Sequence, residues 1–126
     1  MTLRFLGQAD AEQAGVALSE VSASVTDAVI DPRVRLLGRR VVCVGVAGLE
    51  SLASAVIGAT AQLGQMPDKR GFTGHITLAR LDEGARPNPA SVIPCRWTVG
   101  TFALVRSHLG GGPARYETVA AWPLQP

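Results

Sequence analysis

A chain of 126 residues and 13.1 kDa is of single-domain size, with 47% apolar and 17% charged residues, a balance that argues against intrinsic disorder. A net charge of +2 from twelve basic and ten acidic residues is far too small for a general nucleic-acid coat, so any polyanion partner is met at a local site. The densest apolar run, Val41 to Ala47, has the length of a strand and falls well short of the roughly 20 residues that cross a bilayer.

The opening residues Met1–Gly7 lack the basic-then-apolar layout of a signal peptide, so a soluble, cytoplasmic protein with no membrane partner is expected. Thr2 to Leu6 alternates and predicts a short strand ended by Gly7. Asp10 predicts a helix N-cap with Gln13 at the reciprocal capping-box position. Val16, Val21, Val25, Ala28 and Val29 extend a loose helical spacing to about Ile30, where Asp31-Pro32 ends it. Arg33 to Leu37 predicts a modest strand turning at Gly38-Arg39-Arg40. Val41 to Val46 has no polar alternation and predicts a strand buried on both faces.

A second helix is expected from about Gly48 to Leu63, with Leu49, Leu52, Val56 and Leu63 on its apolar side and Gly64 placed for its cap. Residues 65–73 read as a polar loop, His75 to Leu81 as a strand, and Asp82 to Pro94, with three prolines, as a loop. Arg96–His108 and Ala114–Trp122 flank Gly110-Gly111-Gly112-Pro113, a hairpin signature. Strand, helix, strands, helix, strand and hairpin make an α+β domain with mostly antiparallel sheets, expected to occupy residues 1–126 as one unit.

Metal and disulfide chemistry find little support. Cys43 and Cys95 are 52 positions apart, with no CxxC, and neither His75 nor His108 stands at metal-ligand spacing from them. No metal site and no cofactor are expected. Eleven of the twelve basic residues are arginine, whose planar fork suits phosphate; they divide unevenly, five basic against six acidic in residues 1–63 and seven against four in residues 64–126.

One weak internal repeat stands out. Met1-Thr2-Leu3-Arg4-Phe5-Leu6 matches Ile76-Thr77-Leu78-Ala79-Arg80-Leu81 at Thr, Leu and Leu, and His75 precedes the second copy. On a strand His75 and Thr77 share one face while Ile76 and Leu78 take the other. Apolar residues anchor such a strand, leaving an imidazole able to move protons near neutral pH beside a hydroxyl able to donate to a phosphoryl oxygen. By the same parity Arg80 belongs with Ile76 unless the strand bulges. Standing alone, His-x-Thr is more often an ordinary strand fragment than a site.

With the surrounding residues it is more. Phe72-Thr73-Gly74-His75-Ile76-Thr77-Leu78-Ala79-Arg80 resembles the second HxTx signature of the 2H phosphoesterases, in the branch of the bacterial RNA 2′,3′-cyclic phosphodiesterases, also called 2′-5′ RNA ligases. Thr2-Leu3-Arg4-Phe5-Leu6-Gly7 is similar to the tail of that branch's first motif, usually HxTLRFLG. Arg40–Val46 resembles its central strand, and Val105–Leu109 through Ala114–Tyr116 and Trp122–Leu124 its closing hairpin.

The resemblance implies a two-lobed, pseudo-symmetric pair of antiparallel sheets with outer helices around a central cleft, here N-terminally truncated. Family members carry an opening strand, a helix and the first motif's histidine ahead of the position of Met1. It further implies opening of a 2′,3′-cyclic phosphate to a 2′-phosphomonoester without metal, and 2′-5′ ligation. His75 would be the general base, Thr77 and Thr2 phosphate donors, and Arg80 a phosphate ligand. RNA ends or cyclic nucleotides would be the partners. Without the first histidine the chain is expected to be impaired as an enzyme, the alternative being a non-catalytic module that binds RNA ends or nucleotides. The family is expected to be monomeric, whereas an exposed apolar face would favour self-association of this chain. Phe5 alternates with Leu3 and is expected in the core, His108 at the entry to the hairpin turn, and Cys43 as a small buried hydrophobe.

Overall fold

In the computed structural model, which describes residues 1–86 and 92–126, two antiparallel sheets carry the chain. The first helix, α1, spans Ala11–Ser19, and its N-cap Asp10 accepts a 2.8 Å bond from the backbone N–H of Gln13, as the capping pattern predicts. It stops at Ser19, well before Ile30. Thr26–Leu37 is instead a strand, β1. Val25, Thr26, Val29 and Ile30 are β-branched and lose rotamer freedom on a helix, so a sheet partner outcompetes the loose helical spacing. Pro32 does not break β1, because it sits where the pairing with the next strand slips, between Ile30 and Val34; at such a bulge the missing N–H costs no ladder bond.

β2 spans Val41–Ala47, and Val42 to Val46 are buried on both faces as the unbroken apolar run predicts. It pairs with β1 through the turn at Gly38, whose φ of 65° suits glycine. Helix α2 runs Glu50–Ala59, shorter than the apolar spacing suggests. Thr60, fully buried, closes it by donating its hydroxyl to the carbonyl of Val56 at 2.6 Å. Gly64 lies beyond the helix rather than capping it. At φ 59° it passes so close to the Leu6 carbonyl that any Cβ would overlap that oxygen.

β3 spans His75–Arg80, β4 Arg96–Val99, β5 Thr101–His108 and β6 Arg115–Pro123. The long strand expected over Arg96–His108 is broken at Gly100: β4 joins a four-stranded sheet in the order β3-β2-β1-β4, while β5 and β6 form the second sheet as a hairpin. Of the loop expected over Asp82–Pro94, residues 87–91 lie outside the described residues; the rest carries no helix or strand.

The segment Thr2–Leu6 is not a strand. A strand needs a ladder partner, and among the described residues its backbone makes one such contact, the Leu6 carbonyl accepting from Gln65 at 2.7 Å. The Arg4 guanidinium tethers the segment, donating to the carbonyls of Ile57, Leu63 and Gln65 at 3.4, 3.1 and 2.9 Å; burial lowers its pKa. Phe5, expected in the core, is 68% exposed, and Leu3 packs inward in its stead.

Two apolar clusters hold the elements together. Leu18 of α1, Leu52 and Val56 of α2, Phe102 of β5 and Leu124 join the helices to the second sheet, with Phe102 and Trp122 stacked at 5.3 Å. Ala28, Val46 and Leu49 gather Ile30, Phe72, Ile76, Trp97 and Val99 under the four-stranded sheet. Cys43 is buried and Cys95 exposed, both as free thiols. Among the described residues no helix is long and apolar enough to cross a membrane.

Candidate active site

Register assigns the two faces of the four-stranded sheet. Residues paired directly across antiparallel strands point to the same side. Ile30 pairs with Val46, Val44 with Ile76, and Ala28 with Trp97, so these side chains share the apolar face. On the opposite face His75 pairs with Gly45, Thr77 with Cys43, and Arg80 with Val41.

Regular alternation would have put Arg80 with Ile76. The register slips between Val42 and Cys43, leaving Leu78 unmatched, and this β-bulge returns Arg80 to the side of His75 and Thr77. Leu78, expected to anchor the strand, is 48% exposed in consequence. Three of the four residues singled out in the sequence thus line one face of β3, in chain order.

The backbone before the strand fixes the imidazole. Gly74 approaches the Val46 carbonyl so closely that a Cβ would overlap it, and its own carbonyl accepts from Val46 N–H at 2.8 Å. His75 Nδ1 lies 2.9 Å from the Thr73 carbonyl. A carbonyl only accepts, so Nδ1 must carry the hydrogen, and the neutral ring then presents Nε2 as a lone-pair acceptor. The ring is half-buried, while Thr77 and Arg80 are exposed. The loop leading in is braced by Asp68, which accepts from Arg70 at 2.8 Å; that hydrogen bond holds its carboxyl down to about 2.

Thr2 stands on the first segment, outside any strand. It lines a cavity of about 930 Å³ bounded by the first segment, both helices and the length of β5, together with Arg4, Phe102, Arg106 and Tyr116. His75, Thr77 and Arg80 are not on the wall of that cavity. His108, at the end of β5 before the turn as expected, bonds Glu117 at 2.8 Å, and this contact lowers the Glu117 pKa.

Sequence reasoning missed Arg35. It pairs with Cys43, on the His75 face, and its guanidinium lies over Gly45, where any Cβ would overlap it. The readable signal was the glycine inside an otherwise β-branched strand, which marks a close approach. No group of three or more metal-ligating side chains forms among the described residues.

Neither a family model nor a curated protein matches the sequence. Solved structures do. E. coli LigT bound to 3′-AMP is 28% identical, over 98% of this chain and 75% of that one, with a TM-score of 0.81. A crystal structure described as a phosphoesterase is 28% identical, over 99% and 76%, at TM-score 0.84. TT0787 of Thermus thermophilus is 25% identical, over 98% and 76%, at 0.80.

The paired antiparallel sheets and the HxT strand along one of them define a 2H phosphoesterase fold. Among solved structures of that fold the chain is similar to E. coli LigT.

Proposed function

We propose that the protein is an RNA 2′,3′-cyclic phosphodiesterase whose chemistry is centred on the outer face of β3. The observation that carries the reading is the 2.9 Å contact between His75 Nδ1 and the Thr73 carbonyl: with Nδ1 as its donor, the neutral ring keeps Nε2 as a base. Structures of E. coli LigT with 3′-AMP, NADP+, ATP and phosphate support a phosphate-bearing ligand.

In the proposed reaction Nε2 of His75 takes a proton from water as its oxygen bonds to phosphorus. The bond from phosphorus to O3′ breaks, O3′ gains a proton, and the product is a 2′-phosphomonoester with a free 3′ hydroxyl. Thr77 donates to a non-bridging oxygen as charge builds there, and Arg80 offsets that charge. An RNA 5′ hydroxyl in the place of water gives a 2′-5′ linkage by the same exchange of bonds. No metal is assigned a role. Thr2 enters the proposal as the second phosphate donor, reaching the substrate from the first segment.

The proton for O3′ must come from a group other than His75. The chain has two histidines, and His108 is bonded to Glu117 on the second sheet. The 126-residue chain is therefore proposed to act slowly, with water as the acid. A histidine supplied directly ahead of Met1 is expected to raise the rate by about 10²- to 10⁴-fold. The lone imidazole of this face also favours a second reading, a module that binds RNA ends or nucleotides without turnover.

Incubation with 2′,3′-cyclic AMP and chromatographic separation of the products distinguishes the two. The enzyme reading predicts 2′-AMP, whereas binding with no product supports the module. A 3′-AMP product contradicts the bond-breaking assigned here.

A further inference from the structure

Four of the cations in the described residues are balanced by a carboxylate close by. Arg33 meets Asp31 at 3.1 Å, Arg70 meets Asp68 at 2.8 Å, and Arg96 and Arg106 reach Asp27 and Glu117 at 4.0 Å. Arg4 and Arg40 donate to backbone carbonyls. Arg35 has neither kind of partner among the described residues. The nearby carboxylate on its own strand, Asp31, is engaged by both the backbone and the guanidinium of Arg33.

Yet Arg35 does not extend away from the protein. Its own row across the sheet is Arg35–Cys43–Thr77, and the side chain leans one row along that face, so that the guanidinium covers Gly45. Gly45 is the residue paired with His75. Neighbouring strands lie about 4.8 Å apart, so the guanidinium over Gly45 stands about one strand spacing from the His75 position, on the β1 side, while Arg80 stands two rows along from His75 on the same strand. A group over Thr77 would have His75 at one end, Arg80 at the other, and Arg35 across the sheet from both. Gly45 makes this possible, since a side chain there would occupy the space of the guanidinium.

We infer that Arg35 is a substrate-binding residue that holds the phosphate from the β1 side of the sheet, and that Gly45 is its seat. The inference rests on the proposed function, which locates the phosphate over Thr77. A guanidinium fits the task because it is always charged and donates two parallel hydrogen bonds to a pair of phosphate oxygens.

The test is binding of 2′-AMP against adenosine, followed by calorimetry and by amide chemical shifts. Arg35→Ala is expected to weaken 2′-AMP by about 10- to 100-fold, the usual worth of a charge-assisted contact, and to leave any adenosine binding unchanged. Gly45→Ala, which keeps the charge but evicts it from its seat, is expected to weaken 2′-AMP as well. Arg35→Lys is expected to recover only part of the loss, because an ammonium cannot bridge two oxygens.

Equal affinity of wild type and Arg35→Ala for 2′-AMP, with shifts at residues 75–80 in both, overturns the role of Arg35 and leaves the proposed function standing. Shifts of the wild type confined to residues outside that strand overturn the proposed function itself. Equal loss of 2′-AMP and adenosine binding in Arg35→Ala also overturns the inference, because it marks a purely structural contribution. Arg35 is exposed, so its truncation leaves the apolar clusters intact, and thermal melts of the two variants confirm that folded proteins are being compared.

Discussion

His75→Ala is expected to hydrolyse 2′,3′-cyclic AMP about 10²- to 10⁴-fold more slowly than the wild-type chain, the range that general acid–base groups supply. The expectation follows from the position of the ring and the hydrogen-bonding of its two nitrogens. Nδ1 donates to the Thr73 carbonyl at 2.9 Å, so in the neutral ring Nε2 is the nitrogen left to accept a proton. On the proposed mechanism, removing the ring deletes the base but leaves the proposed phosphate ligands Thr77, Arg80 and Arg35, so the affinity for 2′-AMP is expected to change far less than the rate. A His75→Ala chain of undiminished rate would place the chemistry elsewhere.

The largest expected effect on stability belongs to Leu52→Ala. Leu52 is 2% exposed in α2 and touches the cluster formed by Leu18, Val56, Phe102 and Leu124, which joins both helices to the second sheet. Truncating a buried leucine removes its transfer free energy and opens a cavity, at a cost of about 2–5 kcal/mol. Against a typical domain stability of about 5–15 kcal/mol that loss is large, and chemical denaturation should show it as a lower midpoint with little change in slope. Leu109→Ala is the control. Leu109 is 87% exposed, and its truncation should stay within about 0.5 kcal/mol of wild type.

Where sequence and structure agree, local signals were self-sufficient. Asp10 and Gln13 fix the start of α1 through one side-chain bond, the apolar run Val41–Val46 has only a doubly covered strand open to it, and the glycine turn forces the hairpin of β5 and β6. Where they part, a partner distant in sequence decides. Thr26–Ile30 could satisfy a loose helical period, but β2 and β4 offer a ladder on both sides, and Pro32 was misread as a stop because a bulge absorbs it. Thr2–Leu6 carries the alternation of a strand and lacks the ladder.

The site divides in the same way. His75 and Thr77 were legible from period-two parity, which is local. The face of Arg80 depends on the bulge at Leu78, a property of the pairing of β3 with β2 that β3 alone does not encode. Arg35 was illegible, since its proximity to His75 passes through Gly45 and two strand registers. Thr2 matches the repeat in letters, but its segment is not a strand, so parity does not fix its direction, and it lines the 930 Å³ cavity beside β5.

The most direct test of the phosphate site is a titration of ¹⁵N-labelled protein with 2′-AMP, read amide by amide. The account predicts that the largest shifts fall on residues 75–80 of β3 and around Gly45 and Arg35, with the imidazole of His75 perturbed at the same ligand concentration. Shifts gathered instead on the first segment and β5, around the cavity that holds Thr2, with β3 unmoved, would contradict it.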